Sequence, residues 1–312
     1  MISLLSLVAV LSLEQLRPPV GRRYIQVLLA RYANYMERQL NAGSAQHGMV
    51  AWFLAVAPLV LLSAAIYIAL VRAAPAFPIA ALVWNVVVLY FCIGFRGFSR
   101  YFNDIRDAIR RGEIELARGH LMQWRGRSAE GYQVNEIVRA SIEEGVVASH
   151  HSVLGVLVWF ALLPGPSGAV LYRLACFLRT RWGERRGTDE SAFGSFAVRA
   201  FDVLDWLPAR WTALAFAVVG DFDDAIYCWR NQSDRWLRAN DGIVLASAAG
   251  AIGVRLGMPL PEHGELKDRP ELGLGEEADL SSMDSTTGLV WRAVVLWLLV
   301  LLLFSFGSWV GG

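Results

Sequence analysis

Ionisable side chains stand in an unexpected place in residues 201–220, FDVLDWLPARWTALAFAVVG, a stretch otherwise apolar enough to enter a bilayer. Asp202 and Asp205 are three residues apart and would share one face of a helix, and Arg210 follows one to two turns later. The three residues could form a polar pocket for an anionic ligand at the mouth of the membrane portion. They could equally form a structural ion pair that anchors a half-inserted helix. In either case a buried pair has to be mutually satisfied.

Insertion energies indicate how this stretch can meet a membrane. Asp205 and Arg210 together cost about 5–7 kcal/mol at the centre of a membrane helix, whereas the large aliphatic and Phe residues around them return about 2.4–4.8 kcal/mol. A lone crossing is therefore unfavourable. We expect the charged first half to lie in protein or at a wet surface, where it lines a polar vestibule, and the second half, from Trp211 onward, to dip into the membrane.

Two further polar runs could hold a cation, and both have simpler explanations. The acidic run GDFDD, residues 220–224, is expected to cap a helix, because carboxylates favour helix N-termini. His150 and His151 would point apart on a regular helix, so no shared metal ion is predicted. The three cysteines are widely spaced and show neither a disulfide framework nor a metal motif.

The composition indicates an integral membrane protein with substantial soluble portions. Of 312 residues, 55% are hydrophobic and 18% are charged, below the roughly 25% of soluble domains. The net charge of +1 gives no global basic field, so no nucleic-acid partner is expected. The phosphate-binding and dinucleotide-binding glycine motifs are absent, and no cofactor is predicted.

Three apolar runs are long enough to span a membrane. Residues 50–71 carry no charge and would extend about 33 Å as a helix, enough for a hydrocarbon core of about 30 Å. Residues 79–95 form a second run after the break AAPAFP, so the two make a helical hairpin. Residues 293–310 form the last run. Arginine is frequent on both sides of the hairpin, which predicts that both flanks are cytoplasmic.

A fourth apolar run, residues 153–178, is interrupted by PGPSG at 164–168. Two prolines and two glycines predict a broken helix. Both flanks are basic, and a full crossing would place one of them outside. A re-entrant or kinked hairpin avoids this and a true crossing does not, and both interpretations stay open.

These patterns predict an all-α polytopic membrane protein with three to five membrane helices, some broken or re-entrant, plus cytoplasmic helical segments. The predicted order is 1–48 as N-terminal cytoplasmic or interfacial helices, 49–95 as a transmembrane hairpin, 96–152 as a cytoplasmic helical segment, 153–260 as broken membrane segments with cytoplasmic polar helices, 261–287 as an acidic loop, and 288–312 as a C-terminal transmembrane helix.

The stretch DVLDWLPAR, followed by an apolar run that ends at Gly220, resembles the signature of the CobD/CbiB family. The synthase of that family joins aminopropanol phosphate to a corrin carboxylate with ATP during cobalamin assembly. The same stretch is also similar to the AmpE proteins, membrane relatives linked to regulation of β-lactamase induction.

Further segments carry the resemblance along most of the chain. ARGHLMQWRGR matches at Arg127, VRASIEE at Glu144, WFALLPGPSGAVLYRLA at the pair Tyr172 and Arg173, and RANDG at Asn240. Glu144 could equally be solvated or paired with an arginine. The resemblance thus implies a candidate pocket made of Asp202, Asp205, Arg210, Arg127, Glu144, Tyr172, Arg173 and Asn240.

The chain also departs from the synthase pattern. Where the family carries an Asn-Thr-Val-Asp-Gly motif, this chain reads SHHSV at 149–153, and CFLR at 176–179 replaces an Asn-Thr-Leu-Asp motif. Leu245 stands in place of a glutamate. The resemblance implies that the missing acids are the ligands for ATP-bound Mg²⁺, a hard cation that prefers oxygen.

We therefore expect an AmpE-like, non-synthase sensor or modulator in the bacterial inner membrane, with the N-terminal region and the central Arg-rich segment in the cytoplasm. Its expected partners are the lipid bilayer and an anionic small molecule. One alternative is the synthase itself, which would use Mg-ATP. Another is a transport or lipid-binding role, which broken membrane helices permit.

Overall fold

Helices make up most of the chain, and the predicted all-α class is confirmed. The computed structural model describes residues 2–16, 21–73, 79–183, 192–262 and 265–310. Its helices are α1 (Ile2–Leu16), α2 (Arg22–Leu40), α3 (Ala45–Ala73), α4 (Ile79–Cys92), α5 (Phe95–Arg110), α6 (Ile114–Arg125), α7 (Val134–Ser149), α8 (Gly155–Leu162), α9 (Ser167–Leu178), α10 (Ala192–Val219), α11 (Phe222–Gln232), α12 (Ala239–Ile252) and α13 (Leu280–Val310).

Four helices of the described residues are long and apolar enough to cross a membrane: Ala45–Ala73, Ile79–Arg110, Val134–Leu162 and Leu280–Phe304. This number agrees with the predicted three to five. The helices differ in how much of their most apolar stretch is buried. The buried share of residues is 17% in Ala45–Ala73 and 61% in Val134–Leu162. The latter helix is therefore mostly enclosed by protein.

The enclosed helix consists of α7 and α8 joined by a π-helical turn, His150–Leu154. Gln133 and Glu136 form a capping box at its start, in which each side chain bonds the other residue's backbone N–H. The end of the Arg-rich segment and the apolar run after it thus form one continuous helix.

The chain forms two compact units. The first consists of Met1–Gly94, His151–Pro208 and Val300–Gly312. The second consists of Phe95–His150 and Ala209–Leu299.

In the first unit, the PGPSG run ends α8 and turns the chain back, as predicted for a broken helix. Gly165 has a φ of +59°, a left-handed conformation in which any other residue would be strained. After the turn, α9 packs antiparallel to α8: Gly168 lies against the Trp159 carbonyl, and Tyr172 lies against Gly155. Residues 153–178 therefore form a helical hairpin, whose first helix, α8, is the end of the candidate span Val134–Leu162.

The N-terminal helices also belong to the first unit. The helix α1 packs against α4 and buries Leu7 and Val10 completely. The helix α2 packs against α3, where the Tyr32 hydroxyl donates to the Leu54 carbonyl at 3.2 Å.

In the second unit, α5, α6 and α7 pack together, and α11 packs closely on α12. A Cβ at Gly250 would lie only 2.4 Å from the Asp224 carbonyl oxygen, so the absent side chain is what lets these two helices approach. The Asp221 side chain accepts from the Asp224 backbone N–H at 3.0 Å and caps α11. The cap predicted for the GDFDD run is confirmed.

The segment after α12 contains short strands, which the sequence analysis did not predict. Val254–Arg255 (β1) pairs in parallel with Glu276–Glu277 (β4), and Leu260–Glu262 (β2) pairs antiparallel with Glu265–Lys267 (β3). Only part of the predicted acidic loop 261–287 is loop, because α13 already begins at Leu280.

Candidate functional site

The carboxylate of Asp205 lies inside the first unit. Its residue is 1% exposed, and one oxygen, Oδ1, accepts a hydrogen bond of 2.6 Å from the Tyr172 hydroxyl on α9. The other oxygen, Oδ2, is 3.9 Å from Nε2 of His151. Asp205 therefore lies in protein, with a phenol and an imidazole beside it.

Gly155 leaves the space that Tyr172 occupies. A Cβ at this position would lie 2.4 Å from the Tyr172 hydroxyl oxygen and Cζ. Real Cβ atoms do not approach other heavy atoms so closely, so any larger residue would displace the ring. The glycine thus positions the hydroxyl that bonds Asp205.

Phe201 lies one turn before Asp205 and borders the same cluster. Its ring centroid is 5.4 Å from that of Tyr172 and 5.3 Å from that of His151. The guanidinium carbon of the buried Arg179 lies 4.8 Å from the Phe201 centroid, a cation–π distance. We refer to Tyr172, Asp205, His151 and Arg179 around Phe201 as the buried polar cluster.

The other predicted residues of the signature helix are placed differently. Asp202 is exposed, although Asp205 is buried, because residues three apart differ by about 60° around a helix and the edge of the core passes between them. Arg210 is half-buried on the same helix, beyond Pro208, which α10 accommodates. Arg173 on α9 donates to the His151 carbonyl at 3.3 Å, next to the buried polar cluster.

The remaining predicted residues belong to the second unit. Glu144 on α7 is partly exposed, with one carboxylate oxygen 4.0 Å from Nε of Arg125. Arg127 is exposed just after α6 and contributes to the positive potential at Glu144. Asn240 is half-buried in the first turn of α12. The described residues thus bring Tyr172, Asp205 and Arg173 together in the first unit, and Arg127 and Glu144 in the second.

A second buried acid, Glu143, organises the segment that follows α12. Its Oε1 accepts the Gly257 N–H at 2.8 Å, and its Oε2 is paired with Arg269. The Arg269 guanidinium carbon also lies 4.9 Å from the Trp236 ring centroid. Arg139 donates to the Pro259 carbonyl at 3.0 Å. These contacts fasten the strands to α7 and are structural in character.

The buried polar cluster has the chemistry of a shielded proton acceptor. Removal from water strengthens the electrostatic interactions of a carboxylate, and hydrogen bonds fix its orientation. The hydroxyl of Tyr172 holds one oxygen of Asp205, and the other oxygen faces an imidazole. Such a carboxylate can hold a cationic group or accept a proton from one.

Three neighbours of the site, Gly155, Arg179 and Phe201, were not predicted from the sequence. A glycine within an apolar helical run often marks close packing, so Gly155 did carry a signal. Arg179 and Phe201 contact residues of helices that are distant in sequence, and no local sequence pattern predicts such contacts.

The fold and the cluster together define a polytopic helical membrane protein with a buried polar site, and comparison with known proteins identifies its family. The family model described as CobD/Cbib protein matches residues 18–303. The chain belongs to the CobD/CbiB family.

The relatives of this chain include several that carry the name cobalamin biosynthesis protein CobD, among them the following three. The protein from Stutzerimonas stutzeri is 34% identical over 309 residues and covers 98% of both chains. The protein from Chromobacterium violaceum is 35% identical over 220 residues, 70% of each chain. The protein from Mycobacterium tuberculosis is 30% identical over 225 residues, 70% of this chain and 68% of its own. No solved structure matches. These names do not support the AmpE-like branch that the sequence analysis favoured.

Proposed function

We propose that this chain is an adenosylcobinamide-phosphate synthase, which uses ATP to form an amide between aminopropanol phosphate and the corrin carboxylate. The observation that carries the proposal is the relative from Stutzerimonas stutzeri, which aligns over 98% of both chains and is named for cobalamin biosynthesis. This function replaces the AmpE-like role as the leading interpretation.

The chemistry of the buried polar cluster supports an enzyme of this kind. An amine that attacks an activated carboxyl group must lose a proton, and a positioned carboxylate can accept it. In this proposal, Asp205 accepts that proton, and Tyr172 orients the carboxylate through its hydroxyl. Arg173, which lies next to the cluster, is a candidate contact for the phosphate of the amine substrate.

Mg²⁺-ATP is a substrate of this reaction, and its cation requires oxygen ligands. The positions that match the family's acidic motifs do not supply them, because SHHSV and CFLR contain no carboxylate. Beside Asp205, the neighbours named above are a phenol and an imidazole, not a second carboxylate. The residues at these positions do not fit the cation, and no step is assigned to it.

Genetic complementation tests the proposal. We expect the gene to restore corrinoid assembly in a strain that lacks its synthase. Asp205→Asn should abolish the rescue, whereas Asp223→Asn, the same change at an exposed acid on α11, should leave it intact. Failure of the unaltered protein to restore assembly, despite normal amounts in the membrane, would contradict the proposal.

One observation favours a second candidate. The missing acids at 149–153 and 176–179 would suit a non-synthase relative that senses or modulates envelope metabolism. Such a protein would not restore corrinoid assembly but would bind an anionic ligand. Titration of the purified protein with Mg-ATP separates the two candidates, because only the synthase must bind it.

A further inference from the structure

We propose that α2 is an interfacial helix whose outer face contacts the headgroup region of an anionic phospholipid bilayer. The face consists of Tyr24, Val27, Leu28, Arg31, Tyr35 and Arg38, and is called the outer face of α2. All six residues are exposed. Tyr24 is 77% exposed and Leu28 60% exposed, high values for large apolar side chains.

The spacing of these residues places them on one side of the helix. At 3.6 residues per turn they lie within an arc of about 100°. The opposite side carries Ala33, which is 1% exposed. Asn34 lies at the edge of the outer face, about 20° beyond Val27, and its side-chain oxygen accepts from Arg181 at 2.7 and 3.0 Å. The inner side is therefore buried against the first unit, and the exposed outer face is left to a partner.

The position of α2 beside a membrane helix indicates what that partner is. The Tyr32 hydroxyl donates to the carbonyl of Leu54, near the start of the span Ala45–Ala73. At the same end of α3, Val50 and Phe53 are 48% and 52% exposed. The apolar surface thus continues from α3 toward α2, and a bilayer that covers the first part of α3 also reaches α2.

The residue types on the outer face fit a headgroup region better than either water or the hydrocarbon core. Tyrosine is enriched at membrane interfaces because its ring is apolar and its hydroxyl is polar. Val27 and Leu28 supply an apolar anchor, and Arg31 and Arg38 attract anionic headgroups. A partner protein or a second copy of the chain would instead leave the face outside the bilayer.

Spin labels at two matched positions test the proposal in the full chain. Leu28→Cys reports on the outer face, and Gln26→Cys reports on an exposed position on the other side of the same turns. The native cysteines are replaced, and each variant is checked by gel filtration and circular dichroism. The protein is reconstituted in nanodiscs of phosphatidylcholine and phosphatidylglycerol in equal parts.

We expect the label at position 28 to collide with oxygen, which concentrates in lipid, and to be protected from a water-soluble nickel chelate. The label at position 26 should show the reverse. Nickel accessibility at position 28 equal to that at position 26 would overturn the proposal. Protection from both reagents, with a dipolar coupling between labels on two chains, would assign the face to a second copy and would also overturn it.

The charge requirement has a separate measurement. Each substitution Arg31→Gln or Arg38→Gln should lower the affinity for phosphatidylglycerol roughly fivefold, measured by lipid exchange between nanodiscs. Arg100→Gln, at an exposed arginine of α5 that is paired with Asp104, is the control for net charge. Equal effects of all three substitutions would show that net charge, and not the outer face, decides lipid preference.

Discussion

Gly155→Ala is the substitution that most sharply tests how the buried polar cluster is built. The added Cβ would lie 2.4 Å from the Tyr172 hydroxyl oxygen and 2.6 Å from its Cε1, so the ring has to move. Overpacking of this kind costs about 1–3 kcal/mol. Loss of the 2.6 Å hydrogen bond to the buried Asp205 costs a further 1.5–3 kcal/mol or so.

Alanine also favours a helix over glycine by about 1 kcal/mol, which offsets part of the cost. We therefore expect a net destabilisation of about 2–5 kcal/mol in a denaturant titration of the detergent-solubilised protein. Gly119→Ala on α6 is the matched control, because a Cβ there meets nothing within 4 Å. That variant should be neutral or slightly more stable.

The Tyr172→Leu background shows whether the effect passes through the tyrosine. Leucine lacks the atoms that the new Cβ would strike, so Gly155→Ala should cost little once Tyr172 is replaced. An equal cost in both backgrounds would refute the reasoning, and so would a Gly155→Ala protein as stable as its parent.

Three further predictions concern groups outside the cluster. Burial, with a smaller contribution from Asp224, raises the pKa of the Cys228 thiol to about 11. Iodoacetamide at pH 8 should therefore leave Cys228 unmodified in the native protein and alkylate it after unfolding. Mass spectrometry of peptides measures the alkylation. Hydrogen bonds from Ser282 and Ser281 lower the pKa of Asp279 at the start of α13. Asp279→Ala should therefore lower the free energy of unfolding by about 1 kcal/mol at neutral pH. A lowered pKa stabilises the fold only while the group is ionised. The stability difference between the two proteins should therefore disappear as the pH falls through the folded pKa of Asp279. Arg269→Met leaves the buried Glu143 without its guanidinium partner and should destabilise the protein by about 3–5 kcal/mol, whereas Glu143→Gln combined with Arg269→Met should recover part of that loss.

Local patterns were sufficient to predict three of the four candidate membrane helices and the break at PGPSG. They did not predict the candidate span Val134–Leu162, which begins inside the segment expected to be cytoplasmic. The uncharged runs became α3 and α4, and the PGPSG run ended α8, because proline removes a backbone donor and glycine accepts a left-handed turn. The GDFDD run capped α11 for the reason that acids favour helix starts.

Contacts between distant segments could not be predicted in the same way. Asp205 and Tyr172 are 33 residues apart, and Glu143 and Arg269 are 126 residues apart. Helical spacing told which residues could share a face, but it could not tell where the core would end on that face. For that reason Asp202 and Asp205 were expected to share an environment, and only Asp205 is buried.

The missing acids were given more weight than the comparisons support. Their absence from SHHSV and CFLR favoured a non-synthase protein, but the relatives that align with the chain are named for cobalamin biosynthesis. A family motif identifies the positions at which many members carry a set of ligands. It does not show that the reaction requires those positions in every member.

The most direct measurement is the reaction itself, with the full chain purified in detergent or nanodiscs. The protein is mixed with the corrin carboxylate substrate, aminopropanol phosphate and Mg-ATP, and the products are identified by mass spectrometry. We expect an amide product that forms only with ATP and is lost in Asp205→Asn. Folded, pure protein that yields no amide from these three substrates would contradict this expectation.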